Sequence, residues 1–280
     1  MAIISISRGS YSRGVEVAEK VAERLGYTCL ARDMLLKASE EYNIPEMMLV
    51  RAIEDPPSFF RRLTKSRARY VAYIKAALLR HFLADNIVYH GLAGHFFLQG
   101  VGHALKARVI ADFEERVAIV VARDGVSEQE ARDTLTKSDK ARRQWGLSLY
   151  GIDPEDPSLY DTVIHVGKVG TDGAADMICT MVGQGPFETT PASQRAIEDL
   201  ALAASVEAFI VEMDLDKQEM VVEAKDGEVV VRLKSLPRVR GGSSYSEFSA
   251  HYLDDLRRRL HKRSLGLPGI KGLEVELAEE

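Results

Sequence analysis

The sequence predicts an α/β protein, a parallel sheet held in three layers between helices, followed by a second, smaller α+β domain. Three observations predict it. The chain opens on a strand, a glycine turn and a helix, Ile3 to Leu25, reading IISISRGSYSRGVEVAEKVAERL. Strand and helix patterns then alternate as far as Val182, the order that builds parallel sheets. Past a stretch rich in Gly and Pro at 184–191, the pattern changes to helix, two strands around Asp226-Gly227, helix and strand.

Ile3, Ile4 and Ile6 make a short apolar run of the length of a buried strand. After the turn, Val17, Val21 and Leu25 recur at four-residue steps with Ala18 and Ala22 beside them, which describes a helix laid against a sheet. The turn itself, Gly9-Ser10-Tyr11-Ser12-Arg13-Gly14, has two glycines at the G-x-x-x-x-G spacing of a phosphate-binding loop. Val15 and Glu16, however, stand where Lys and Ser or Thr complete that motif. A loop so placed aims backbone N–H groups and the positive end of the next helix at one spot, which suits a phosphate. The same residues also make an ordinary tight turn. Arg13 either turns inward as the missing cation or stays solvated.

With 280 residues, 46% of them hydrophobic and 28% charged, and a net charge of -5, the chain reads as an ordinary soluble protein of two domains. That balance argues against a general nucleic-acid or membrane-surface binder. Cys29 and Cys179 are far apart and lack CxxC spacing, so reduced thiols and no structural zinc are expected. No apolar run approaches membrane-spanning length, and the cytoplasm is the default compartment.

Tyr27 to Leu30 reads as a second strand. Arg32 and Asp33 follow it at the start of a helix running to about Tyr42. Residues just past a strand's C-terminal end face the ligand crevice of an α/β sheet, although a surface Arg and a capping Asp fit the same positions. A short helix is expected from Glu46 to Ile53. Arg61 to Asp85 is the longest helical stretch, with Tyr70, Tyr73, Ile74, Ala77, Leu78 and Phe82 as its apolar face. The basic residues at its start, Arg61, Arg62, Lys65, Arg67 and Arg69, are either a solvated face or a grip on an acceptor phosphate. Next, Asn86 to His95 is a strand ending in a glycine-rich turn. His90 and His95 there are candidates for contact with phosphate or base, and a hydrogen-bonded core position is the alternative for His95.

Ala104 to Ala111 alternates as a strand, and Phe113 to Arg123 follows as a helix. Ser127 with Glu130 makes a capping box that starts the next helix. This helix carries Lys137, Lys140, Arg142 and Arg143 ahead of Trp145 and Tyr150, a cationic segment suited to fold over polyphosphate. Thr162 to Val166 is the last strand of the first domain and Asp172 to Val182 its last helix.

Together these segments resemble a known family. ISISRGSYSRGVEVAEKVAERLGY, VYHGLAGHFFL, ALKARVIADFEERV, SDKARRQW and DPSLYDTVIH make residues 1–183 similar to the cytidylate kinase-like family of P-loop nucleoside monophosphate kinases. The resemblance implies a P-loop kinase fold. It also implies an enzyme that passes the γ-phosphoryl group of ATP to a nucleoside monophosphate, CMP or dCMP, with Mg²⁺ bridging the phosphates. Gly9, Ser10, Tyr11, Ser12, Arg13 and Gly14, with Lys137 and Lys140, are implied to bind ATP, and Arg13, Arg142 and Arg143 to act on the transferring group. Arg32, Asp33, His90 and Gly91 fall on the acceptor side, and no residue is implied as a metal ligand. The family's pattern is departed from at Val15, Glu16 and the His90-Gly91-Leu92 turn; Val15 and Glu16 favour a second reading, a catalytically degenerate nucleotide sensor acting through its C-terminal module, whereas the cationic segment and Arg13 favour the kinase.

Beyond the linker 184–191, residues 192–280 read as a helix to Phe209, strands Met220 to Ala224 and Glu228 to Leu233, a helix Tyr245 to Arg263, and a strand within Gly269 to Leu277. This α-β-β-α-β order resembles a BON domain, which implies a module that binds a small ligand, a lipid or a protein partner. Its basic run, Arg257 to Arg259 and His261 to Arg263, either pairs with the helix dipole or touches an anionic surface.

Overall fold

Strand β1 (Ile3–Arg8) is buried from Ile3 to Ser7, as expected of a central strand covered on both faces. It lies in the middle of a five-stranded parallel sheet of order β2-β3-β1-β4-β5, with β2 Thr28–Leu30, β3 Ile87–His90, β4 Ala104–Ile110 and β5 Thr162–His165. Register places Ile6 opposite His90 on one side and opposite Ala107 on the other. The three-layer α/β class is therefore observed, together with a smaller second sheet. This is a computed structural model; it describes all residues except 32, 45–47, 50–63, 92, 214–219, 235–244 and 278–280.

Up to Val182 the helices, among the described residues, are α1 (Gly14–Leu25), α2 (Asp33–Tyr42), α3 (Thr64–Phe82), α4 (Gly94–Phe97), α5 (Phe113–Asp124), α6 (Glu128–Tyr150) and α7 (Val166–Val182). Val17, Ala18 and Val21 of α1 and Ala174, Ala175 and Ile178 of α7 share one core with Ile4, Ile6, Val88, Leu105 and Val109 of the sheet. Above that core Lys20 meets Asp172 at 2.6 Å and Arg24 meets Asp172 and Asp176 at 2.6 and 2.8 Å. The capping box at Ser127 and Glu130 is present, and it starts α6. One boundary departs from the sequence reading: α7 begins at Val166, not Asp172. Gly170 sits inside it at φ 65°, ψ 178°, a kink that only glycine takes without strain. Of the helix expected over 46–53 only Met48 and Leu49 are described, both helical, and the start of the basic run at Arg61 and Arg62 lies outside the described residues.

Contacts divide the chain into two units, Met1–Thr64 with Ala84–Ser193, and Lys65–Leu83 with Gln194–Glu280. The boundary expected at 184–191 does not anticipate the assignment of α3 to the second unit. Within that unit, α8 (Pro191–Glu212) and α9 (Tyr245–Ser264) accompany a sheet of order β6-β7-β8, from Met220–Lys225, Glu228–Leu233 and Gly272–Leu277. The first pair is an antiparallel hairpin and the second is parallel. Asp226 and Gly227 both take positive φ at the turn, and their N–H groups donate to the Asp199 carboxylate at 2.8 and 3.0 Å. Leu202, Val206, Val229, Val231, Leu256, Leu260 and Val275 form its core. Among the described residues no helix is long and apolar enough to cross a membrane.

Candidate functional site

In the sheet order, the connection from β1 runs toward one edge and that from β4 toward the other. Ligands of open α/β sheets bind outside the strand ends at such a reversal. The Gly9 to Gly14 loop lies there. Its turn is closed by Ser12, whose N–H and hydroxyl both donate to the Gly9 carbonyl, at 3.3 and 3.0 Å. Tyr11 and Arg13 each take φ 59°, a left-handed conformation that L-residues with side chains hold only under constraint. Gly14 admits nothing larger, because a β-carbon there would stand 2.6 Å from that of Arg8. α1 begins at once, so the N–H groups of Gly14, Val15 and Glu16 lie in its first turn, where no intrahelical acceptor exists.

Two helices fasten this loop. Arg116 of α5 donates from Nε to the Ser10 carbonyl at 2.7 Å and from Nη2 to both carboxylate oxygens of Asp139 on α6 at 2.8 Å. The Ser10 and Ser138 hydroxyls meet at 2.6 Å, and Arg142 Nη1 donates to the Arg8 carbonyl at 2.8 Å. Arg123 lies over the Tyr11 ring, 4.6 Å from its centroid, and donates to its hydroxyl. α5 and α6 thus hold the loop at Arg8, Ser10 and Tyr11.

The loop opens onto a cleft of about 1080 Å³, lined on one side by Ser10 to Glu16 and on the other by Ala31 and Tyr89 to Gly91, with Ser138, Ala141 and Arg142 of α6. A second, water-sized cavity of about 40 Å³ lies beneath α6, among Ser7, His95, Arg108, Trp145 and Pro154. Arg8, Gly91 and Arg142 line both and form the wall that divides them. Gly91 is close-fitted too, since a β-carbon there would collide with the Tyr89 hydroxyl.

The predicted site residues fall into three groups. Gly9, Ser10, Tyr11, Ser12, Arg13, Gly14, His90, Gly91, Arg142 and Arg143 all line one cavity or both. Lys137 and Lys140 are exposed on α6 and line neither. Arg32 lies outside the described residues, and Asp33 is described only as the first residue of α2. Of the cations, Arg13 pairs with Glu16 at 3.1 Å and Arg143 with Asp153 at 2.7 Å. The Arg13 hydrogen bond holds the Glu16 carboxyl below the usual carboxylate range, with help from the Thr171 hydroxyl. His95, a sequence candidate for phosphate contact, is buried and its pKa is pushed down to about 3, by burial first and then by Arg108 and Lys106. It is therefore neutral at ordinary pH. Its Nε2 stands 3.3 Å from the Tyr160 hydroxyl, which itself donates to the Pro154 carbonyl at 2.8 Å.

One residue outside the G-x-x-x-x-G frame belongs to the site as well. Arg8, the last of β1, lines both cavities and burial pulls its pKa down. The signal was an arginine at the end of an apolar strand, one position before the first glycine of the loop.

A family model described as the cytidylate kinase-like family matches residues 3–168. The chain is similar to the cytidylate kinase of Thermococcus kodakarensis, with 35% identity over 88 residues, 31% of this chain and 45% of that one. It is also similar to the cytidylate kinase of Archaeoglobus fulgidus, with 26% identity over 184 residues, 64% of this chain and 93% of that one. It thus spans under half the length of the Thermococcus relative. A crystal structure of an uncharacterized protein from Eubacterium ventriosum shares the fold, with a TM-score of 0.50 at 21% identity, over 66% of this chain and all of that one.

Proposed function

The chain belongs to the cytidylate kinase-like family, and from that premise we propose that it transfers the γ-phosphoryl group of ATP to a nucleoside monophosphate, CMP or dCMP. The observation that carries the reading is the cleft at the end of β1, with the Gly9 to Gly14 loop on one side and the His90-Gly91 turn on the other. Its volume, about 1080 Å³, suits two nucleotides better than a water-sized ligand. On this reading the donor phosphates lie against the N–H groups that open α1, and the acceptor lies toward the His90-Gly91 turn. An acceptor phosphate oxygen attacks the γ-phosphorus in line. The new P–O bond forms as the bond to the ADP oxygen breaks, and the loop N–H groups and Arg142 take up the charge.

The cations are not equivalent. Arg13 reaches a phosphate by leaving Glu16, and Arg143 by leaving Asp153. Lys137 and Lys140, exposed on α6, act by drawing anionic nucleotides toward the cleft. The loop fits the phosphates of ATP. For Mg²⁺ the fit is poor, because among the described residues no cluster of three His, Cys, Asp or Glu side chains suits a metal, and Glu16 is engaged by Arg13, Lys20 and Thr171. Magnesium therefore enters only as the ion that accompanies ATP.

The order α8-β6-β7-α9-β8 of residues 192–280 supports, as a further part of the proposal, a BON-like binding module. The test of the central reading is ADP release with ATP and Mg²⁺ across CMP, dCMP, UMP and AMP. Turnover that depends on CMP or dCMP is the expected result. Nucleotide binding without acceptor-dependent turnover overturns it.

A further inference from the structure

We propose that Arg8 is the phosphate-binding cation of this site, standing at the junction of donor and acceptor in place of the lysine that Val15 replaces in the loop. The inference rests on the kinase reading above and adds to it a residue that the motif spacing does not contain.

Position is the first ground. β1 is the central strand, and its last residue has the Gly9 to Gly14 loop on one side and, through the β1–β3 register, the His90-Gly91 turn on the other. A group passing from a donor on the loop to an acceptor at the turn passes the end of β1. Arg8 and Arg142 are the charged residues in the wall common to both cavities.

The second ground is how the side chain is held. Its stem lies along Gly14, so close that a β-carbon at Gly14 would be 2.6, 3.1 and 3.4 Å from Cβ, Cδ and Cγ of Arg8. Gly14 therefore makes room for the arginine stem as well as for the helix start. The guanidinium is thereby placed at the loop before any ligand arrives, which spares the ordering of a long side chain.

The third ground is charge. Arg13, Arg108, Arg123 and Arg143 all line the cavities and each stands within 4 Å of a carboxylate. Among the described residues none stands so near Arg8, and its buried Nε has no hydrogen-bond acceptor. A desolvated guanidinium without a counter-ion is unfavourable in the empty protein. A phosphate oxygen supplies both the missing charge and the missing acceptor, and the planar fork suits it.

The test compares the wild-type chain with Arg8→Met, which keeps the stem on Gly14 and removes the charge, and Arg8→Lys, which keeps a charge. Three readouts are taken: kcat with ATP, Mg²⁺ and CMP; calorimetric affinity for adenosine and cytidine joined through a pentaphosphate; and thermal unfolding. The Met variant is expected to lose about 100-fold or more in kcat and at least 10-fold in affinity for the linked dinucleotide, with Lys regaining part of both at an unchanged melting temperature. In the wild-type protein the Arg8 Nε–H resonance, assigned by its absence in the Lys variant, is expected to shift when the dinucleotide binds; this readout stands even where the Met variant does not fold. Turnover and affinity within twofold of wild type, or an Nε–H resonance that does not move on binding, overturn the assignment and leave the kinase reading intact. A wild-type chain that neither turns over nor binds the dinucleotide overturns the kinase reading and this assignment with it.

Discussion

His95 is 4% exposed, and its pKa in the fold is about 3 against an ordinary value of 6.5. Between those values the unfolded chain binds a proton that the folded chain does not, so stability is fully present above pH 6.5 and declines as the pH falls toward 3. At pH 4.5 the loss from this one group is roughly 2–3 kcal/mol. His95→Gln should be less stable at pH 7 yet lose about 2 kcal/mol less than wild type between pH 7 and pH 4.5, measured by urea unfolding at both values. An equal loss in the two proteins rules out His95 as the titrating group. The sequence left His95 open between a phosphate contact and a core position, because a histidine after a glycine turn fits both. What decides is the packing of Phe96 and Tyr160 around the ring, at centroid distances of 4.0 and 5.0 Å, and Tyr160 is 65 residues away in the chain. Arg8 escaped notice for a different reason. It lies one position outside the G-x-x-x-x-G frame, and its place in the cavity walls depends on how β1 sits between β3 and β4.

At the scale of elements, α6 was the most legible part of the site. Ser127 and Glu130 announce its start, and the cap is observed with the Ser127 side chain accepting from the Glu130 N–H. What the sequence did not reveal is which face of α6 meets the loop. The density of Lys137, Lys140, Arg142 and Arg143 pointed to charge, whereas the contacts are made by Ser138, Asp139 and Arg142. Helical spacing explains it, since 138 and 142 are four apart and lie on one side. Asp139 thus positions Arg116, which holds the Ser10 carbonyl. The pair is largely withdrawn from water, with Arg116 10% and Asp139 31% exposed, so breaking it leaves a buried guanidinium short of its partner. Asp139→Asn should cost about 1–3 kcal/mol, less than the loss of a fully buried pair, and weaken ATP binding by loosening the loop. Urea unfolding and ATP calorimetry on the same variant check both parts. A variant within 0.5 kcal/mol of wild type and equal in affinity would show that α5 and α6 hold the loop without this pair. α7 shows the opposite case: glycines at 167, 170 and 173 hide a helix start that the strand before it and the core beneath it impose.

For the whole molecule, the assignment of α3 is what sequence order could not disclose. Its residues read as an amphipathic helix with one apolar face, yet Val71, Ala72, Ala76 and Leu79 are buried along with Tyr73, Ile74, Ala77, Leu78 and Phe82. Burial nearly all round a helix means that it is enclosed. Its contacts group it with Gln194–Glu280, and Lys75 pairs with Glu207 of α8 at 2.8 Å, a partner 132 residues away that no local pattern identifies. The second unit is therefore built from two separated parts of the chain. A protein cut after Ser193 retains α3 but lacks the other residues of its unit, so apolar side chains that are nearly dry in the full chain face water. Burial of one large aliphatic side chain is worth about 1.5–3 kcal/mol, and several are released together, against a total stability of about 5–15 kcal/mol for a typical domain. The cut protein should bind a hydrophobic dye, melt at least several degrees lower or without cooperativity, and lose solubility, even though every residue of the phosphate loop is still present. If it instead melts as the full chain does and binds ATP equally well, α3 does not depend on the C-terminal residues and the division of the chain into units must be redrawn at 184–191. The expected outcome makes the C-terminal residues a structural requirement of the chain that carries the Gly9 to Gly14 loop.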